Sequence, residues 1–150
     1  MELFAIESMQ MIYQLTLAAV LGMLIGFERE YRGKPAGLRT YMLVTLGATL
    51  FTIMSYASLS GDLGRSSFDP SRIASQVVVG IGFIGGGLIF LKGERMEGLT
   101  TAAGLWAAAA IGMAVGFGFY AVAVYSTLLV LFVLWALRVL EDHIHHDPQV

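Results

Sequence analysis

The run Glu28-Arg29-Glu30-Tyr31-Arg32 holds the densest chemistry in the sequence. On a continuing helix Glu28 and Arg32 stand four residues apart and can pair as ions. Carboxylate oxygens are also what Mg²⁺ takes, a hard cation that keeps several waters and needs only one or two carboxylates from the protein. Glu28, Glu30 and Glu94 are therefore candidates for an ion site or polar path, with Mg²⁺ as ligand and no resident cofactor. Two further blocks carry polar groups. Asp69-Pro70-Ser71-Arg72 has the form of a helix start, Asp69 as N-cap and Pro70 at the first helical position. Gln76 then lies one turn beyond Arg72, so the pair carries polarity into an apolar run, where such groups are costly and face protein or water.

Gly37-Leu38-Arg39-Thr40 and Gly98-Leu99-Thr100-Thr101 each bring hydroxyls to an expected helix start. Capping accounts for Thr40 and Thr100, because the first amides of a helix need acceptors. If the two starts converge, their dipoles and Arg39 form, with Thr40, Thr100 and Thr101, a patch suited to anions or a partner's carboxylates. Such a patch repels a cation, so it competes with the carboxylate site. Glu7, Gln10 and Gln14 form a stripe at helical spacing, read as an interfacial first turn. Asp142, His143, His145, His146 and Asp147 are ligand types without a rigid frame, read as a solvated end. With no cysteine, no nucleophile beside a base and no phosphate loop, an enzyme is not expected.

The elements that hold these residues must live in lipid. The 150 residues are 57% hydrophobic and 13% charged, against roughly 25% charged in an ordinary soluble domain. A formal net charge of -2 with scattered cations gives no footprint for nucleic acid. A span takes about 20 apolar residues, which places helices near residues 9–27, 40–59 and 73–91. The uncharged stretch 102–137 is too long for one crossing, and Gly112, Gly116 and Gly118 mark a reversal, giving spans 102–116 and 118–137. One long tilted helix with a re-entrant segment is the alternative. The expected fold is all-α, an integral membrane domain of five transmembrane helices with no soluble domain after residue 150. Arg29, Arg32, Lys34, Arg39, Lys92, Arg95 and Arg138 fall on one side and only Arg65 and Arg72 on the other. Lys and Arg are retained in the cytoplasm, so the N-terminus is outside and the C-terminus cytoplasmic.

Glycines recur at spacing four in Gly22 and Gly26, Gly82 and Gly86, and Gly112 and Gly116, a pattern that lets helix backbones approach within a chain or between copies in a homo-oligomer. Gly80, Gly82, Gly85, Gly86 and Gly87 crowd the third span, each weakening a helix by roughly 1 kcal/mol relative to Ala, and mark it as a moving part. Ile25-Gly26-Phe27 before Gly37-Leu38-Arg39-Thr40 is faintly echoed by Ile81-Gly82-Phe83 before Gly98-Leu99-Thr100-Thr101, as in a parallel repeat. The middle of every span is expected to be apolar or glycine. Glu28→Ala and Gln76→Ala are expected to keep the fold and lose activity.

Taken together, Ile25-Gly26-Phe27-Glu28-Arg29-Glu30 and Lys34-Pro35-Ala36-Gly37-Leu38-Arg39-Thr40 resemble the signature of the MgtC/SapB family. Asp69 to Ala74 with Gln76-Val77-Val78, Gly80 to Gly87, and Gly98 to Trp106 resemble its later motifs, so the likeness covers about residues 15–120. The resemblance implies a multi-pass protein of the bacterial inner membrane associated with magnesium homeostasis. In the family's virulence branch it implies survival inside host cells and restraint of the F-type ATP synthase. The expected function is magnesium or related ion homeostasis, with transport as one form that it could take. Its rival is a non-transporting regulator bound to another membrane complex such as that synthase.

Overall fold

The computed structural model describes residues 2–57, 71–92 and 95–144. They form α1 (Glu2–Tyr31), α2 (Leu38–Ala57), α3 (Ser71–Gly86), a short hairpin of β1 (Phe90–Lys92) and β2 (Arg95–Glu97), α4 (Leu99–Gly116) and α5 (Tyr120–Ile144). Four helices are long and apolar enough to cross a membrane, through Glu7–Tyr31, Leu38–Ser55, Leu99–Gly116 and Tyr120–Leu137. The stretch 102–137 is thus two helices and not one long one.

Glycines with left-handed backbone set two of the reversals. At the end of α4 the amide of Gly118, at φ 82°, donates to the carbonyl of Val115, and that of Phe119 to Ala114. Gly33, at φ 64°, closes α1 in the same way, its amide bonding to Glu30 and that of Lys34 to Arg29. This paired arrangement satisfies the last carbonyls of a helix and needs a residue without a Cβ penalty.

The third span departs from expectation. Residues 87–91 are not helical: α3 stops at Gly86, and its apolar part, Arg72–Gly86, is shorter than the four helices long enough to cross a membrane. Sixteen residues rise about 24 Å, less than the roughly 30 Å of hydrocarbon. Three successive glycines exhaust helix propensity, and the amides of Leu88 and Ile89 take the closer carbonyls of Gly85 and Gly86 in a tightened last turn. Phe90 then pairs with Glu97, Leu91 with Met96 and Lys92 with Arg95 in an antiparallel ladder. Gly98, at φ 92°, swings the chain from this hairpin into α4.

Helix α4 is the hub, touching α1, α2, α3 and α5. Its contact with α2 is made by glycine: a Cβ on Gly112 would lie 2.5 Å from the Thr45 carbonyl, and one on Gly116 2.6 Å from Thr52 Cβ. On α1, a Cβ on Gly26 would lie 2.7 Å from Leu38 Cα and one on Gly22 2.8 Å from the Tyr41 carbonyl. Gly22, Gly26, Gly112 and Gly116 therefore pack within one chain. The α3 glycines behave differently, since Gly80, Gly82 and Gly86 have open space where a Cβ would be. Gly85 meets Ala102 at an ordinary 3.4 Å.

Span centres are not merely apolar or glycine. Tyr41, Thr45, Thr49, Thr52 and Ser55 form a buried polar stripe along α2, each no more than 1% exposed. The sequence reading missed it because each hydroxyl, taken alone, is an ordinary helix residue that can bond back to its own backbone. Thr45 and Thr52 do bond back, whereas Thr49 Oγ1 donates across to the Gly112 carbonyl at 2.7 Å.

Candidate functional site

Two candidate regions flank α2, one polar and one mostly apolar. The first closes the end of the bundle that carries the α1–α2 turn. Arg29 is 2% exposed, and its Nε donates to Glu28 Oε2 at 2.7 Å. Arg32 Nε stands 3.5 Å from Glu28 Oε1, an ion pair without hydrogen-bond geometry. One carboxylate thus serves two guanidiniums, and Arg29 Nη1 is buried without an acceptor. Beside it Tyr41 runs under the start of α4, its hydroxyl donating to the Thr101 carbonyl at 3.3 Å, over Gly104 where no larger residue fits.

Glu30 does a different job from Glu28. Its Oε2 accepts from the Leu38 amide at 2.8 Å, so a side chain from the end of α1 caps α2. Gly37 leaves room for that carboxylate, since a Cβ there would lie 2.6 Å from Oε2. Thr40 and Thr100 are not the expected caps: they lie inside the first turns of α2 and α4, and α4 opens at Gly98 with no side-chain cap bond.

The second region is a cleft of about 800 Å³ between α2 and α3. Arg39 and Thr40 line one end, Gln76 and Gly80 lie along it, and Phe51 and Ile73 line the other end. Its remaining walls are Leu43, Val44, Gly47, Ala48, Val77, Ile81, Ile84 and Ala109. A smaller space of about 530 Å³, lined by Pro35, Ala36, Gly82, Phe83, Gly86 and Gly87 among others, shares Thr40 and Ile84 with it. Together they make a furrow along α3.

The structure therefore sorts the sequence candidates into separate places. Gln76, Arg39, Thr40 and Gly80 share the cleft, while Glu28 and Arg32 share the buried cluster and Glu30 is a cap. Arg72 is exposed at the start of α3 and does not line the cleft. Thr101 belongs with Tyr41, and Thr100 is exposed. The two helix starts do meet, but through Tyr41, with Arg39 turned to α3. Asp69 and Glu94 lie outside the described residues, as do His145, His146 and Asp147. Among the described residues no group of three His, Asp or Glu side chains is placed to hold a metal.

Three contributors escaped sequence reasoning. Arg29 adjoins Glu28 in sequence, and neighbours do not normally face each other on a helix. Tyr41 was hidden between the more conspicuous Arg39-Thr40 pair and an apolar run. Gln14, expected at an interfacial turn, is 5% exposed and donates to the carbonyls of Val115 and Gly116 at 3.0 and 3.1 Å, capping the far end of α4. Glu7 and Gln10 of the same stripe are exposed.

Residues 15–143 match the model of the MgtC family. The chain is 46% identical over 127 residues to a protein of Escherichia coli (strain K12) named "Putative magnesium transporter YhiD", covering 83% of this chain and 59% of that one. It is 46% identical over 121 residues to "Protein MgtC" of Brucella abortus (strain 2308), covering 81% and 48%. A protein of Synechocystis sp. is 44% identical over 135 residues, covering 90% and 55%. The chain thus spans about half to three-fifths of the length of these relatives. No solved structure matches. A family match over most of the chain, carried by motifs that the structure places in one helical bundle with four apolar spans, identifies a membrane protein that belongs to the MgtC family.

Proposed function

We propose that the protein serves magnesium homeostasis in the bacterial inner membrane as a non-conducting module that acts on another membrane complex. The magnesium assignment comes from the name borne by its Escherichia coli relative. The observation that supports a non-conducting module is the filled centre of the bundle. Gly112 and Gly116 bring α4 onto α2 without room for a methyl group, and the threonine hydroxyls between them are engaged by carbonyls. Cation passage needs waters or a row of exposed oxygens. Here the two carboxylates of α1's last turns are already committed, Glu28 to arginines and Glu30 to an amide.

Five crossings with the N-terminus outside complete the proposal. The seven-to-two asymmetry of Lys and Arg supports that orientation, and a short α3 is accommodated by local thinning or by burial against other helices. An F-type ATP synthase is one membrane complex that such a module would engage.

Liposomes loaded with a Mg²⁺-sensitive dye test this reading. The expected result is flux no greater than in protein-free vesicles, from a preparation that restores growth of a deletion strain in low magnesium. Flux that is lost in a folded Glu28→Gln Gln76→Ala variant would instead establish conduction and end the non-conducting reading.

A further inference from the structure

The α2–α3 cleft is held open by residues that the rest of the chain does not require. Gly47 in the middle of α2 and Gly80 in the middle of α3 both line it, and a Cβ on either would meet nothing within 4 Å. Glycine inside a helix is unfavourable by roughly 1 kcal/mol against alanine in water. At Gly22 and Gly112 close helix approach accounts for it, but at Gly47 and Gly80 no neighbour does. Their effect is to deepen an apolar furrow whose other walls include Leu43, Val44 and Ile81.

The polar groups of the cleft are unequally placed. Arg39, exposed and without a hydrogen-bond or ion-pair partner among the described residues, lies with Thr40 at the end where the α2 span begins. From Arg39 to Phe51 the cleft follows α2 for about 18 Å at the helical rise. One leaflet of hydrocarbon is about 15 Å deep, half of the full core. A cation at headgroup level, above an apolar channel one leaflet deep, is complementary to a negatively charged headgroup with its acyl chain. Its volume of about 800 Å³ falls within the range of roughly 300–1,000 Å³ usual for small-molecule sites.

We propose that the α2–α3 cleft binds one anionic phospholipid, its phosphate on Arg39 and Thr40 and one acyl chain lying over Gly47 and Gly80. Basic pockets between membrane helices are a general means of holding such headgroups. The proposal rests on the membrane placement of the chain and not on its magnesium role.

The test is native mass spectrometry of the full chain released from micelles doped with equal phosphatidylglycerol and phosphatidylcholine. One retained lipid is expected, with phosphatidylglycerol preferred by roughly fivefold. Arg39→Gln should abolish the preference while lipid is still retained. Gly80→Leu and Gly47→Leu should each lose the retained lipid while circular dichroism shows unchanged helix, and two variants are made so that misfolding of one leaves the other to decide. Equal retention of both lipids, or a preference undiminished in Arg39→Gln, overturns the proposal. So does protection against heat by inorganic phosphate equal to that by phosphatidylglycerol, which assigns the cation to a free anion. A wild-type dimer that Gly80→Leu dissociates with lipid retention intact assigns the cleft to a second copy and also overturns it. Flotation of the same protein with vesicles reports the membrane placement separately.

Discussion

At Arg29 a full positive charge is withdrawn from solvent and left with one carboxylate for company. Removing that carboxylate strands the guanidinium, and breaking a buried pair from one side costs about 3–5 kcal/mol. Glu28→Ala is therefore expected to lower the unfolding midpoint in micelles, whereas the sequence reading had it keeping the fold and losing only activity. Glu28→Gln, which retains an acceptor for Arg29 Nε, should lose less. Gln14 makes a similar argument at the other end of α4. Gln14→Leu leaves the Val115 and Gly116 carbonyls without their donor, at a cost of about 1–3 kcal/mol by the same denaturation measurement. The sequence made Glu28 legible because its pairing with Arg32 obeys helix spacing. It hid Gln14 and Arg29, whose partners are a carbonyl about a hundred residues away and an adjacent residue, neither of which periodicity can reveal.

Among the helices, glycine at spacing four has two meanings that the sequence does not distinguish. Gly112→Ala would drive a methyl group into the Thr45 carbonyl and separate α2 from α4, and overpacking of this kind costs about 1–3 kcal/mol. Gly82→Ala meets open space and is expected to be neutral or to stabilise by up to about 1 kcal/mol through helix propensity. Thermal unfolding of the two variants side by side checks both signs. A clear loss at Gly82 in membranes but not in dilute micelles would place another chain against α3, as a homo-oligomer through that face requires. The positions of α1, α2, α4 and α5 were readable from apolar length because lipid imposes a simple ruler. The end of α3 was not, since Gly87 to Leu91 remain uncharged after the helix has stopped and hydropathy alone carries no signal for the turn and strand.

For the molecule as a whole, the proposed orientation has a direct check. The chain contains no cysteine, so single substitutions can be labelled without background. Lys34→Cys in the α1–α2 turn and Glu97→Cys at the end of the hairpin should be reached by a membrane-impermeant thiol reagent only from the cytoplasmic side. Phe119→Cys, in the α4–α5 turn and well exposed, should react from outside. Labelling of Phe119→Cys and Lys34→Cys from the same side would overturn five crossings.

The central position of α4 also sets the order in which the molecule can be built. During synthesis α1 and α2 can pair as soon as both have emerged, with Glu30 already sealing the turn between them. Helix α3, which packs mainly on a segment not yet made, must wait in the bilayer with its apolar sides turned to lipid. Only when residues 99–116 leave the ribosome does a binding surface for it exist. A pause or truncation before that point should yield a two-helix stub with a loosely tethered third helix. Substitutions in α4 such as Gly112→Ala are accordingly expected to act during biogenesis, as reduced yield and quality-control proteolysis, before any change is measurable in the mature protein.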